Sequence, residues 1–142
     1  MKDPRFDKPV IVESDPGNPN WTIREGFDYR TSVPMDPNWR GVQRMTLRDP
    51  DESWVISVPD GFVTDFASVP RLFWNIFPPT GNYRNAAVVH DYCYRTPGIA
   101  TKTEADNIFY EAMEYLGVGW WTRHILYAAV HRFGGSSYKG GL

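Results

Sequence analysis

A chain of 142 residues with a formal net charge of -2 and a pI near 5.9 is the size of one domain, long enough to bury a core and too short for two comfortable ones. That charge argues against the basic surface with which nucleic-acid binders displace counterions and leaves room for a small local patch only, so no nucleic-acid partner is expected. A single cysteine, Cys93, excludes an internal disulfide and leaves the fold to packing.

The opening residues, MKDPRFDKPV, place charges and prolines where a signal peptide would have an apolar run. No later stretch approaches the roughly 18 apolar residues of a membrane span, so a soluble product without a transmembrane segment is expected. Residues 1–20 read as an extended arm, because DPGNPN offers the backbone nothing regular. A single domain is expected over 21–133, and GGSSYKGGL makes 134–142 a flexible tail. Aromatic content of 15% supplies large apolar areas for a core, or an exposed rim for a partner or a lipid surface.

The first half has a period of two. GVQRMTLR and SWVISV alternate, with DPDE between them as a turn, which predicts a hairpin of 41–48 and 53–58. A further strand is expected near WTIREGFDYR. After residue 80 the period changes to about 3.6. NYRNAAVVHDYCYR predicts a helix over 82–95, ended by Thr96, Pro97 and Gly98. TKTEADNIFYEAMEYLG opens on a capping box, Thr101 with Glu104, and stops at Gly117. Its apolar stripe is Ala105, Ile108, Phe109, Ala112, Met113 and Leu116. A third helix over 119–133 has the stripe Ile125, Leu126, Ala129, Val130 and Phe133 and ends at Gly134 and Gly135. The fold class is α+β: a small N-terminal antiparallel β-sheet followed by a three-helix C-terminal half.

Chemistry concentrates in VTDFASVP and HDYCYR. His90 and Tyr94 are four residues apart and share a helix face, with the small Ala86 one turn earlier. Asp91 points about 100° around the helix from His90, toward a different partner. The histidine can then handle a proton while the carboxylate holds a cation or a second loop. Thr64, Asp65 and Ser68 form a loop rich in oxygens, the ligands that a hard cation such as calcium takes. Asp106 borders the buried stripe of the second helix, and the His90 ring is its obvious partner. The structural alternative is a polar network pinning helix to loop, with Asp91 pairing Arg95 and Asp65 or Ser68 capping a turn. His124 and His131 share a face with Trp120 and Tyr127, which fits a partly exposed aromatic stripe better than a metal site. The nucleophile elbow, P-loop and dinucleotide glycine patterns are all missing from the sequence.

PDGFVTDFASVPRLFW, AAVVHDYCYR and ADNIFYEAM, within 59–133, resemble the phage and prophage family catalogued as domain of unknown function 1353. The resemblance implies a viral or prophage source, synthesis in the host cytoplasm and a place on the virion or lysis side of such a genome. HDYCY is also similar to the helix signature of phospholipase A2 enzymes. That resemblance implies His90 as general base, Asp91 on calcium beside the 64–68 loop, and Tyr94 and Asp106 holding the His90 ring from behind. The substrate would be a phospholipid or other ester. The sequence departs from that pattern in lacking a glycine-rich calcium loop and a disulfide partner for Cys93, and in the short spacing from Asp91 to Asp106. The non-enzymatic alternative is a tail or head assembly protein whose partners are other virion proteins and whose His-Asp helix is scaffold.

Overall fold

A computed structural model describes residues 5–14, 16, 17, 20–34, 45, 46, 54–64, 73, 83–96 and 99–138. The described strands are β1 (Val12–Ser14), β2 (Trp21–Ile23), β3 (Phe27–Thr31), β4 (Met45–Thr46), β5 (Trp54–Val58) and β6 (Val63–Thr64). Three helices follow: α1 (Arg84–Arg95), α2 (Lys102–Tyr115) and α3 (Trp120–Phe133), with a 3-10 turn at Gly134–Ser137. The architecture is α+β, with antiparallel strands in two small sheets ahead of a helical C-terminal half.

One sheet has the order β1-β2-β6 and the other β3-β5-β4, with every pairing antiparallel. The expected hairpin is present as β4 on β5, Met45 opposite Val55 and Thr46 opposite Trp54. The remainder of its first arm, 41–44 with 47 and 48, lies outside the described residues. WTIREGFDYR holds two strands rather than one, and they enter different sheets. The break is at Gly26, where a Cβ would stand 2.8 Å from both the Asp60 carboxylate and the Val58 carbonyl. Only glycine lets the chain pass so close, and its N–H donates to that carboxylate. Alternation then sets the faces: Phe27, Tyr29 and Thr31 of β3 are buried with Ile56 and Val58 of β5.

Residues 5–14 of the expected arm lie along the body. The Asp7 N–H donates to the Asp28 carbonyl and the Arg30 N–H to the Arg5 carbonyl, so this stretch runs beside β3. Phe6 packs its ring on Phe27, Tyr29 and Tyr115, and Val10 is buried. Proline and asparagine discourage regular structure locally, but apolar residues at 6, 10 and 12 are enough to dock the segment. The expected tail also begins on the body, because the Tyr138 hydroxyl donates to the Ala100 carbonyl at 2.6 Å.

The helices follow their sequence signals. The α2 capping box is complete: Thr101 Oγ1 accepts from the Glu104 N–H, and the Glu104 carboxylate accepts from the Thr101 N–H. Gly117, with φ of 79°, turns the chain out of α2. α1 is buried on nearly every side, from Ala86 through Asp91 and again at Cys93 and Tyr94, packing on α2 and on β5 and β6. α3 departs from expectation: Leu126, Ala129 and Val130 are buried, whereas Ile125 and Phe133 are exposed. Lys102, at the start of α2, reaches the Val130 and His131 carbonyls. The last turn of α3 therefore lies against the start of α2, and Phe133 in that turn faces outward.

Removal of residues 1–14 should lower the melting temperature, and Phe6→Ala alone should cost about 2 kcal/mol, since a half-buried ring loses part of the transfer free energy of a core one. Thermal melts of both variants test this; unchanged melting would make the segment an appendage.

Candidate functional site

His90 sits in the middle of α1 because Ala86, Ala87, Val88 and Val89 draw that helix into the core. The imidazole is wholly buried, stacked on Phe109 at 4.7 Å and tilted against Tyr94 at 4.1 Å. Its Nε2 lies 2.8 Å from Oδ1 of Asp106, which is also wholly buried. The Tyr94 hydroxyl donates to the same oxygen. The three side chains expected to act together, His90, Asp106 and Tyr94, are therefore in direct contact.

Two further groups hold the other oxygen. Lys102 Nζ donates to Oδ2 of Asp106 at 2.9 Å, and His131 Nδ1 stands 3.2 Å from it. Spacing could have revealed Lys102, which is four residues before Asp106 on the same helix. Nothing local marks His131, whose contact is made 25 residues along the chain by the packing of α3 on α2.

The ionisation states follow from this geometry. Burial lowers the His90 pKa from its ordinary 6.5 and outweighs the opposing pull of the Asp106 carboxylate, so the ring is neutral. For Asp106 burial works upward, but hydrogen bonds from His90, Tyr94 and Lys102 prevail and bring the carboxyl from 3.8 down to about 2. A neutral imidazole facing an ionised carboxylate carries its proton on the nitrogen that faces it, here Nε2. Nδ1 is then a bare lone pair. It is buried and has no hydrogen-bond partner among the described residues. Tyr94 is pushed upward by burial and then by Asp106, which keeps it a donor.

Asp91 serves the other side of α1. Its Oδ2 accepts from the buried Thr64 hydroxyl at 2.5 Å and lies 3.7 Å from Arg95, which also donates to the Val63 carbonyl at 2.7 Å. Thr64 and Asp91, two of the four expected calcium ligands, thus meet; Asp65 and Ser68 lie outside the described residues. A cleft lined by Asn107, Tyr110, His124 and Tyr127 opens between α2 and α3. The expected aromatic stripe runs beside it, with Trp120 stacked on His124 at 3.9 Å and Tyr127 on His131 at 5.5 Å.

A family model described as "Protein of unknown function (DUF1353)" matches residues 39–130. The chain is also similar to "Uncharacterized protein y4jT" of Sinorhizobium fredii (strain NBRC 101917 / NGR234), 38% identical over 79 residues. That match takes in 54% of this chain but 23% of the relative, so it spans about a quarter of the relative's length. No solved structure matches the chain.

Both shifted groups make the fold acid-sensitive, in separate windows. An unfolded chain binds a proton at His90 below about pH 6.5 that the folded chain refuses, so stability falls there by up to ~1.4 kcal/mol per pH unit. The Asp106 contribution, about 2 kcal/mol, is present above pH 3.8 and is lost as the pH falls toward about 2. Denaturant unfolding between about pH 8 and 5 should therefore show a decline below 6.5 that His90→Gln flattens. An equal decline in the variant would assign it to another group.

Proposed function

We propose a hydrolytic role for this chain, which belongs to the protein family of unknown function DUF1353: His90 acts as a general base on water, and the water attacks a carboxylic ester. The observation that carries the reading is a buried Nδ1, without a hydrogen-bond partner among the described residues, on an imidazole whose Nε2 is already held by a carboxylate. Proton uptake from the attacking water at Nδ1 creates an imidazolium, which Asp106 stabilises across the 2.8 Å contact. Collapse of the tetrahedral adduct breaks the ester C–O bond, and the imidazolium proton passes to the departing alkoxide. Acid and alcohol leave, and neutral His90 is restored. Tyr94, Lys102 and His131 fix the Asp106 carboxylate so that the ring keeps one orientation. A phospholipid is the ester class supported by the likeness of HDYCY to the phospholipase A2 helix.

The proposed calcium position is Asp91 and Thr64 completed by Asp65 and Ser68. Calcium bound there would supply positive charge to the developing oxyanion. The described part of the set offers three side-chain oxygens, two from Asp91 and one from Thr64, with the Thr64 hydroxyl already hydrogen-bonded to Asp91, against the roughly six to eight that calcium takes. No group of three or more His, Cys, Asp or Glu able to hold a metal occurs among the described residues. The hydrolytic step above uses His90 with Asp106 behind it and is not routed through a metal.

A second reading rests on the complete burial of His90 and Asp106. A polar tie between three helices is what a scaffold needs, and the chain would then be a structural component of a phage virion, bound to other virion proteins. On either reading the proposed source is a phage or prophage, with synthesis in the host cytoplasm.

Fatty-acid release from phospholipid vesicles decides between the readings. The wild type should hydrolyse, and His90→Gln should fall by roughly a hundredfold or more. Calcium should raise the melting temperature of the wild type and leave Asp91→Asn unchanged. No release above the His90→Gln background would leave the scaffold reading standing.

A further inference from the structure

Of the seven large apolar side chains exposed among the described residues, four belong to α3, Trp120, Trp121, Ile125 and Phe133, and they include the most exposed, Trp121 at 74% and Phe133 at 62%; Ile11, Val63 and Tyr115 are scattered elsewhere. Helical spacing sets Trp121, Ile125 and Ala128 in one outward row that ends at Arg132, all four exposed. The opposite side, Leu126, Ala129 and Val130, is the one packed into the core. A surface helix ordinarily turns polar residues outward, so a second apolar row needs something to cover it.

The charge pattern says what. All 17 acidic residues lie at or before Glu114, so α3 and the residues after it carry no carboxylate side chain, while they contribute Arg123, Arg132 and Lys139. In a chain of net charge -2 this end is positive against an acidic remainder. Glu114 stands 3.7 Å from Arg123 and engages that cation, whereas Arg132 is exposed beside the Phe133 ring. A second copy docking by the same face would set one α3, carrying cations and no carboxylate side chain, against another. A protein partner would need a groove shaped to a convex helical ridge, whereas a fluid lipid surface accepts one as it is. Tryptophan favours the headgroup layer, and cationic side chains favour anionic lipid. No described helix is long and apolar enough to cross a membrane, and α3, of 14 residues, would lie in the surface plane.

We propose that the outer face of α3 docks this protein onto an anionic lipid bilayer, with Trp121 and Ile125 inserted at headgroup depth. The inference stands on the surface of α3 and goes beyond the chemistry assigned to His90. It is tested by co-sedimentation of the full chain with vesicles of phosphatidylcholine alone or mixed with phosphatidylglycerol. Binding should require the anionic lipid, weaken with added salt, and drop at least roughly tenfold in Trp121→Ser/Ile125→Ser. Both side chains are exposed, so the melting temperature of the double variant should match the wild type. Failure to bind mixed vesicles, or equal binding by a folded double variant, would overturn the proposal. Sedimentation velocity without lipid gives a third outcome: a dimer dissolved by the same substitutions would overturn it in favour of a second copy. His90→Gln should bind vesicles like the wild type, which separates loss of docking from loss of hydrolysis.

Discussion

A carboxylate with no access to water has to be given hydrogen-bond donors by the protein, and in this fold that requirement falls on Asp106. Its two oxygens meet four groups from three helices: His90 and Tyr94 of α1 on one, Lys102 of α2 and His131 of α3 on the other. Leaving such a charge unpaired would cost several kcal/mol, comparable with the whole stability of a domain this size. The mutual placement of the helices is thus fixed by satisfying one side chain as well as by burying apolar stripes. Lys102 extends the tie, because its ammonium also binds the Val130 and His131 carbonyls near the end of α3.

The same arrangement leaves one group out of balance. Both oxygens of Asp106 have partners, yet the far nitrogen of His90 has none among the described residues. A helix tie made for stability alone would be served as well by an amide or a second tyrosine, with no lone pair stranded in an apolar setting. A contrasting knot shows the difference. Glu111 accepts from the Tyr29 hydroxyl at 2.8 Å and from the Ser32 N–H at 3.0 Å, and pairs with Arg5 at 3.4 Å. That knot joins β3 to α2 with donors on both carboxylate oxygens, and it contains no imidazole to strand.

Most of this was legible along the chain where the signals were local. Thr101 and Glu104 gave the start of α2, Gly117 its end, and the spacing of His90 and Tyr94 their common face. Asp106 was legible as His90's partner because a carboxylate at the margin of a buried stripe needs a donor. The rest depended on contacts that spacing does not encode. His131 reaches Asp106 through the packing of α3 on α2, and the same packing, not the spacing of the stripe, decides that Phe133 is exposed. Gly26 read as a residue within a strand, because the carboxylate and carbonyl that crowd it come from 58 and 60. The docking of residues 5–14 was hidden by their prolines and charges, which describe the backbone between Phe6, Val10 and Val12 rather than those anchors.

α1 divides its two central polar residues between two neighbours, and this division gives the molecule its unity. His90 turns to Asp106 and Phe109 of α2, while Asp91, one position on, turns to Thr64 of β6, and Arg95 completes that side through the Val63 carbonyl. Adjacent helical residues point about 100° apart, so one helix can hold both contacts only if it is enclosed by the two halves at once. The small residues before His90 make that enclosure possible, because Ala86 and Ala87 let other elements approach the backbone closely. A displacement of β6 would therefore be felt at Asp91 and, through the rigid turn of α1, at the orientation of the His90 ring. Whatever His90 does, the strand that carries Thr64 is in a position to influence it.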